Sequence, residues 1–236
     1  MPTYKTKLRN YEIRFPNSEE YHIIKNEIFN SDAYDFETST AEPVIIDCGA
    51  HIGLSVLYFK TLFSNAQIHA FEPNPEAFKF LEENISINNL SNVKVYRKAV
   101  DTKAGCKSLF IDLNDYWFSN SSYSRGTWKG AEKDVTVEIE TVDIKEVVNN
   151  LLKTHKFIDL LKLDIEGYEV KIIKHIQEQL KDIKNLIVEY HPVNKKEFTK
   201  TLSQIQKYYR NIEYISEGKS FRKPDLNNLF VVKAFN

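Results

Sequence analysis

A short apolar segment followed by a glycine-rich turn constrains this chain more than any other feature. Residues 44–48 read Val-Ile-Ile-Asp-Cys, and Gly49 and Gly53 follow. An apolar run of β-forming residues that ends at glycine is typical of a buried strand entering a tight turn. Apolar side chains then recur at helical spacing, at Ile52, Val56, Phe59 and Phe63. The segment therefore predicts strand, glycine turn and helix, the start of a nucleotide-binding α/β domain.

The turn excludes two familiar nucleotide-binding fingerprints. A dinucleotide motif needs a second glycine so that backbone can approach a pyrophosphate, and His51 stands at that position. The GxxxxGK[ST] sequence of a P-loop is also absent. A second apolar run, residues 68–71, leads to Glu72, whose carboxylate can accept hydrogen bonds from the ribose hydroxyls of an adenosine. Together with Asp47 and the glycines, Glu72 predicts a site for S-adenosylmethionine (SAM). The alternative is that the glycines only shape the turn and that Glu72 is solvated.

Neither the overall composition nor the net charge indicates binding to nucleic acid or to a membrane. The 236 residues are 42% hydrophobic and have a net charge of −1, which is too balanced for a nucleic-acid footprint. Two cysteines, Cys48 and Cys106, make no disulfide framework and no zinc knuckle. The first residues lack the apolar region of a signal peptide, and no apolar run approaches the roughly 18 residues of a spanning helix. We expect a cytoplasmic protein with no nucleic-acid or membrane partner; its oligomeric state is not readable from the sequence.

Residues 1–43 and 44–236 are expected to form an N-terminal cover segment and the main SAM-binding domain. In the cover segment, apolar and polar residues alternate over residues 11–15, as they do in a strand, and a helical pattern begins at Ser18. The segment has too few apolar residues to fold alone. In the main domain, Asn74 and Pro75 suit the N-cap and first position of a helix. Further predicted elements are strands at 93–96, 108–113, 135–142, 212–215 and 229–235, helices at 143–153 and 194–210, and a charged loop at 216–228.

A long segment between two predicted strands interrupts the α/β alternation. Residues 115–130 are rich in hydroxyls, glycine and aromatic side chains, the latter being Tyr116, Trp117, Phe118, Tyr123 and Trp128. Loops this long in a compact domain are usually lids, binding loops or disorder, and the aromatic content argues against disorder. We interpret residues 113–134 as a substrate-facing loop, the alternative being a structural excursion. Its side chains suit sugars and, equally, peptides.

Two predicted strands carry ionisable residues at their carboxyl ends. One apolar run leads into Asp164 and Glu166, and the next leads into Glu189 and His191. Residues two apart in a strand face the same way, and ligands in open α/β sheets bind outside the carboxyl ends of the strands. If the extended geometry continues, these side chains face the predicted cofactor site and are candidate catalytic groups. The alternative is that they cap the strands and pair with nearby lysines.

Five ordered motifs resemble the FkbM-type family of SAM-dependent methyltransferases. They are Asp47-Cys-Gly-Ala-His-Ile-Gly53, Phe71-Glu-Pro-Asn-Pro75, Ala99-Val-Asp101, Lys162-Leu-Asp-Ile-Glu-Gly167 and Val188-Glu-Tyr-His191. The resemblance covers about residues 44–191. It implies an α/β, Rossmann-like class I methyltransferase fold, with a seven-stranded, mostly parallel sheet, an antiparallel last strand and helices on both faces. Better-known members methylate hydroxyls of sugars and polyketide-like products, and some similar enzymes methylate peptide side-chain amides.

The resemblance also implies which residues bind SAM. They are Asp47, Gly49, Ala50, His51, Gly53, Glu72, Pro73, Asn74, Ala99 and Val100. Among them, the backbone at Gly49 approaches the methionine part, Glu72 holds the ribose, and Ala99 borders the adenine. The expected partner is a small-molecule, saccharide or peptide acceptor, most simply a hydroxyl on a sugar or natural-product-like molecule.

An alcohol acceptor needs a group that takes its proton during transfer. Glu166 is the first candidate because the nearby Asp164 can raise its pKa; Asp164 and His191 are the others. We predict a metal-free reaction, although these side chains could hold a metal. Two other classes stay open. A nucleic-acid methyltransferase is disfavoured by the missing Asn/Asp-Pro-Pro-Tyr motif, and a SAM-binding partner protein without catalysis is disfavoured by the carboxylates.

Overall fold

The computed structural model describes residues 3–112, 118, 121–122 and 134–236. In this part of the chain the strands are β1 (Tyr4–Leu8), β2 (Tyr11–Phe15), β3 (Val44–Cys48), β4 (Gln67–Phe71), β5 (Val93–Tyr96), β6 (Lys98–Asp101), β7 (Gly105–Asp112), β8 (Asp134–Asp143), β9 (Ile158–Leu163), β10 (Ile183–Tyr190), β11 (Asn211–Ser216), β12 (Lys219–Phe221) and β13 (Phe230–Phe235). The α-helices are α1 (Ser18–Phe29), α2 (Leu54–Leu62), α3 (Pro75–Ile87), α4 (Ile144–Leu152), α5 (Glu169–His175) and α6 (Lys195–Ile205). Short 3₁₀ helices cover Asp32–Tyr34 and Gln177–Asp182.

The central sheet has the strand order β12-β11-β13-β10-β9-β3-β4-β5. Its strands from β10 to β5 are parallel, and β13 lies antiparallel between β10 and β11. Every residue of β3 and of β9 is buried, as expected for central strands covered on both faces. The chain continues from β3 to β4 on one side and returns to β9 on the other. A topological switch point therefore lies between β3 and β9, where open α/β sheets bind their ligands.

The predicted fold class is confirmed, with one more strand in the described sheet than expected. The extra strand is β12, which lies within the predicted charged loop at residues 216–228. It pairs with β11 through a two-residue turn at Glu217 and Gly218, which have φ values of 49° and 70°. Positive φ at both turn positions matches the twist of a hairpin. The Glu-Gly pair is a weaker signal for such a turn than Asn-Gly, which explains why the sequence pattern did not reveal β12.

Apolar helix faces cover the sheet on both sides. One core contains Val56 and Phe59 of α2 with Leu81 of α3, and the other contains Val148 of α4 and Phe198 of α6. The N-cap predicted for α3 is confirmed, since the side chain of Asn74 accepts hydrogen bonds from the second and third helical backbone N–H groups. Helix α6 is shorter than the predicted 194–210, because it ends at Ile205 and a turn follows.

A second, three-stranded sheet has the order β6-β8-β7. The Ala99-Val-Asp101 motif lies in β6, which runs parallel to β8. Strands β7 and β8 form an antiparallel pair that flanks the predicted substrate loop. Of that loop's aromatic residues, Phe118 is buried; the other four, Tyr116, Trp117, Tyr123 and Trp128, lie outside the described residues.

The described part of the cover segment packs against the main domain. Ile13, Phe15 and Tyr21 belong to the same apolar core as α2 and α3. The side chain of Asn84 on α3 accepts a hydrogen bond from the Arg14 backbone N–H at 2.8 Å and donates to the Arg14 carbonyl at 2.9 Å. These contacts place α1 and the following residues beside the carboxyl ends of β3 and β10. None of the helices in the described ranges has the length and apolar character that a membrane crossing requires.

Candidate active site

One cavity lies at the carboxyl ends of β3, β4, β9 and β10, beside the switch point. Most of the site residues predicted from the sequence line it, namely Gly49, Ala50, His51, Glu72, Pro73, Ala99, Val100, Asp164, Glu166, Glu189 and His191. The other three, Asp47, Gly53 and Asn74, are buried and are not part of its lining. The structure therefore brings the predicted cofactor residues and the predicted catalytic residues to the same cavity.

The first glycine of the turn is required by a close approach of two backbones. Gly49 has a φ of +83°, and a Cβ placed on it would lie 1.8 Å from the carbonyl oxygen of Asp164. The backbone N–H groups of Gly49 and Ala50 both donate to the Phe71 carbonyl, at 2.9 and 3.0 Å. A side chain at Gly49 would force the end of β9 away from β3. This glycine thus sets the geometry of the cavity floor independently of any ligand.

Glu72 is a buried carboxylate held by the turn that it faces. Its Oε2 accepts from the His51 backbone N–H at 2.9 Å, and its Oε1 accepts from the Asn74 backbone N–H at 2.8 Å. Burial raises the pKa of Glu72, whereas the charge of His51 and these backbone donors act in the opposite direction. An ionised carboxylate offers about four acceptor positions. Glu72 therefore retains capacity to accept further hydrogen bonds from a ligand.

Lys162 is a central site residue whose role sequence reasoning missed. Its Nζ donates to the Gly49 carbonyl at 2.6 Å and lies 3.2 Å from Oδ1 of Asp47 and 3.2 Å from Oδ2 of Asp164. Burial alone would lower the pKa of Lys162, but the charges of Asp47 and Asp164 outweigh it and raise the pKa. Asp47 also accepts from the Ser55 hydroxyl at 2.6 Å. The available signal was a lysine in the mostly apolar strand β9, whose other charged residue is Asp159.

The chain turns sharply after Asp164, so the premise of continued extended geometry is wrong. Strand β9 ends at Leu163, and Glu166 and Gly167 have φ values of 54° and 98°. Asp164 and Glu166 nevertheless both line the cavity, because the turn rather than strand alternation directs them there. Glu166 is held in the left-handed region, which non-glycine residues rarely occupy, and such strain clusters at functional sites.

A buried histidine joins this turn to the end of β10. Nδ1 of His191 lies 2.9 Å from Oε1 of Glu169, and its Nε2 lies 3.4 Å from Oε2 of Glu166. Burial would lower the pKa of His191, but Glu166 and Glu169 raise it well above its ordinary value. Oε1 of Glu169 also accepts from the backbone N–H groups of Ile165 and Gly167, both at 3.1 Å. Glu169, which the sequence interpretation left out, therefore holds both the turn and the imidazole.

Glu189 meets the cover segment at the other side of the cavity. Its Oε2 accepts a hydrogen bond from the buried Tyr34 hydroxyl at 3.2 Å. Burial, followed by the charge of Asp164, raises the pKa of Glu189 to about 8. On the same wall, Oε1 of the buried Glu20 lies 3.4 Å from Nε2 of His51. Tyr34 and Glu20 belong to none of the sequence motifs, and nothing in the sequence around them indicates that they are site residues.

The strand order and the cavity at the switch point define a class I methyltransferase fold. Among the solved structures that share it are two with 14% sequence identity to this chain. A methyltransferase FkbM from Methylobacillus flagellatus has a TM-score of 0.52, with 84% of this chain and 45% of that chain covered. TYW2 from M. jannaschii, solved in complex with AdoMet, has a TM-score of 0.50, with 98% and 84% covered. This chain thus spans less than half of the first of these proteins.

The sequence matches the family described as Methyltransferase FkbM domain over residues 47–216, and the chain belongs to that family. Methyltransferase sdnD of Sordaria araneosa is 30% identical over 193 residues, which cover 72% of this chain and 74% of the relative. The hexuronic acid methyltransferase AglP of Haloferax volcanii is 27% identical over 169 residues, which cover 71% of this chain and 64% of the relative. Methyl transfer is therefore the class of reaction, as the motifs predicted.

Proposed function

We propose that this protein transfers the methyl group of SAM to a hydroxyl of a sugar or another small, natural-product-like acceptor. The observation that carries the proposal is the shared cavity. One end has a buried carboxylate beside an apolar wall, and the other end has four ionisable side chains within reach of an acceptor. The relative that methylates a hexuronic acid supports a sugar acceptor.

The residues at the first end fit the chemistry of an adenosine. Phe71, Ala99 and Val100 are buried apolar residues that line this part of the cavity, and they would enclose the base. The carboxylate of Glu72 would accept hydrogen bonds from the ribose hydroxyls. Gly49, with no side chain, would leave room for the methionine part. When bound, SAM supplies an electrophilic methyl group attached to a positively charged sulfur.

We assign the proton acceptor to Glu189 rather than to Glu166, the residue first predicted. Oε2 of Glu166 lies 3.4 Å from Nε2 of His191, whose pKa Glu166 and Glu169 raise well above its ordinary value. The Glu166 carboxylate is therefore already engaged by the imidazole, which makes it a poorer acceptor for the proton of a substrate hydroxyl. Glu189 has a pKa raised to about 8, which suits a general base working near neutral pH.

SAM, when bound, would supply the methyl group and keep the electron pair of the broken carbon–sulfur bond on its sulfur. The acceptor oxygen would bond to the methyl carbon, and the carboxylate of Glu189 would take the hydroxyl proton. Tyr34 donates a hydrogen bond to that carboxylate and thereby fixes its orientation.

The proposed reaction does not need a metal ion. Ligand atoms of Asp164, Glu166 and His191 lie within 4.8 Å of one another, a geometry that could hold a cation. However, Asp164 already pairs with the buried ammonium of Lys162, and a metal on His191 would have to displace the proton that Glu166 and Glu169 stabilise on the imidazole. Turnover should therefore survive exhaustive chelation; loss of turnover that Mg²⁺ restores would contradict the metal-free mechanism.

The first test is calorimetric titration with S-adenosylhomocysteine, with NAD as the control. Binding of the former alone is expected, and binding of neither would overturn the cofactor assignment. Acceptor screening with sugars and then with peptide amides would follow. A general base contributes roughly 10²- to 10⁴-fold, so Glu189→Gln should lower kcat by at least about 100-fold while cofactor affinity stays unchanged. If Glu189→Gln keeps full turnover and Glu166→Gln loses it, Glu166 is the proton acceptor instead.

A further inference from the structure

We propose that the acceptor binds in a second cavity beside the cofactor cavity, and that the bound unit is an uncharged, hydroxyl-rich sugar rather than a uronic acid. This inference rests on the proposed function and extends it to substrate specificity. The second cavity has a volume of about 900 Å³, within the range of small-molecule sites. It is formed by the end of α1, the residues that follow it, the β11–β12 hairpin and the start of β13.

The two cavities share a wall that contains the proposed base. Glu27, Tyr34, Glu189 and Leu229 line both of them. Since the Tyr34 hydroxyl donates to Glu189 within this wall, a hydroxyl presented from the second cavity would reach the carboxylate that takes its proton. A methyl donor in the first cavity and an acceptor in the second would then meet at this shared wall, as methyl transfer between two bound molecules requires.

The lining of the second cavity indicates the chemistry of its ligand. Its lining includes five amide or hydroxyl side chains, namely Asn26, Asn30, Ser31, Ser216 and Asn228. Such groups donate to and accept from hydroxyls. Phe221 lies at the edge with 47% of its surface exposed, and its ring offers an apolar face to the C–H side of a sugar ring. These features suit a carbohydrate unit.

The charges of the lining disfavour an acidic sugar. Its carboxylates include Glu217 and Glu189, which must be ionised to act as the base, and no lysine, arginine or histidine belongs to the described lining. On β13, Lys233 is engaged elsewhere, since its Nζ donates to the Asp32 carbonyl at 2.8 Å and lies 4.0 Å from Glu213. A uronate would meet these like charges, with no cation among the described lining residues to pair with. The acceptor class thus differs from that of the hexuronic acid methyltransferase to which the chain is related.

The experiment compares matched acceptors with the full chain and radiolabelled SAM. Methyl hexopyranosides with gluco, galacto and manno configurations are each paired with the corresponding methyl hexuronide. We expect kcat/KM to be at least about tenfold higher for the neutral member of a pair, the equivalent of about 1.4 kcal/mol. Equal or reversed preference would overturn the inference, as would no transfer to any neutral sugar by protein that binds S-adenosylhomocysteine. Failure to bind S-adenosylhomocysteine would instead overturn the proposed function.

A pair of variants on one hairpin tests the location of the acceptor. Ser216 lines the second cavity, whereas Ser220, across the same hairpin, is exposed and outside the lining. Ser216→Trp should raise the KM for the neutral sugar by at least about tenfold and leave S-adenosylhomocysteine affinity unchanged, while Ser220→Trp should change neither. An unchanged KM in Ser216→Trp would refute the location. Glu217→Lys should narrow the preference for neutral over acidic sugars; an unaltered preference would refute the charge argument.

Discussion

Replacing Lys162 with methionine removes an ammonium that joins β3 to β9 beneath the proposed cofactor site. In the folded protein this ammonium pairs with Asp47 and Asp164 and donates to the Gly49 carbonyl. The side chains of Lys162 and Asp47 are 2% and 0% exposed, so water cannot replace the lost charge without structural change. Methionine has similar length and fills the space, which separates loss of charge from loss of packing.

The expected cost follows from the burial of the partner. Removing one member of a buried ion pair leaves an uncompensated charge and typically costs about 3–5 kcal/mol. For a chain of this size, each kcal/mol lowers Tm by roughly 2–4 °C. Lys162→Met should therefore lower Tm by roughly 6–20 °C. It should also weaken S-adenosylhomocysteine binding, because the Gly49 carbonyl loses its donor.

The assay is thermal unfolding followed by circular dichroism, with Lys79→Met as the matched control. Lys79 pairs with Glu76 at 2.7 Å, but its side chain is 67% exposed, and surface pairs contribute about 0–1 kcal/mol. Adding Asp47→Asn to Lys162→Met should recover part of the loss, because the buried charge is removed. If Lys162→Met and Lys79→Met have the same Tm, or if the double variant is less stable than Lys162→Met, the reasoning is refuted.

Three further predictions concern the turn, the glycine and pH. Glu169→Gln removes a carboxylate 2.9 Å from Nδ1 of His191 and should lower the pKa of His191 by about one unit, measured by NMR titration; an unchanged pKa would show that Glu169 does not hold the imidazole charged. Gly49→Ala would place a Cβ 1.8 Å from the Asp164 carbonyl oxygen and should abolish S-adenosylhomocysteine binding in calorimetry, so retained affinity would argue against this backbone contact. Since the pKa of Glu189 is raised to about 8 and the base must be ionised, kcat should rise between about pH 7 and 9, and a profile that falls over this range would contradict the assignment. Stability should change with pH in the opposite direction. Because the pKa of Glu189 in the folded protein exceeds its ordinary value of 4.5, the free energy of unfolding should fall as the pH rises from 4.5 to about 8. This contribution should be absent in Glu189→Gln.

Local sequence accounts for the elements that build the cofactor side of the site. The apolar run of β3 followed by Gly49 specifies a strand and a turn through side-chain burial and backbone freedom, which act over a few residues. The same holds for Asn74, whose side chain caps α3 as predicted. Because parallel strands place their carboxyl ends at one edge, the side chains after β9 and β10 could also be expected in one region.

Tertiary structure alone decided which of these groups interact and in what charge state. The Tyr34–Glu189 hydrogen bond joins residues 155 positions apart, and the Lys162–Gly49 hydrogen bond spans 113 positions. In both pairs, nothing in the sequence around one residue indicates which residue will be its partner. Glu169 and His191 likewise meet only because the turn after β9 packs beside the end of β10. The pKa values of these residues depend on burial and on neighbouring charges, which exist only once the chain has folded. Sequence therefore determined the fold, the family and the region of the site, whereas the packing of the cover segment against the sheet determined the shared wall between the two cavities.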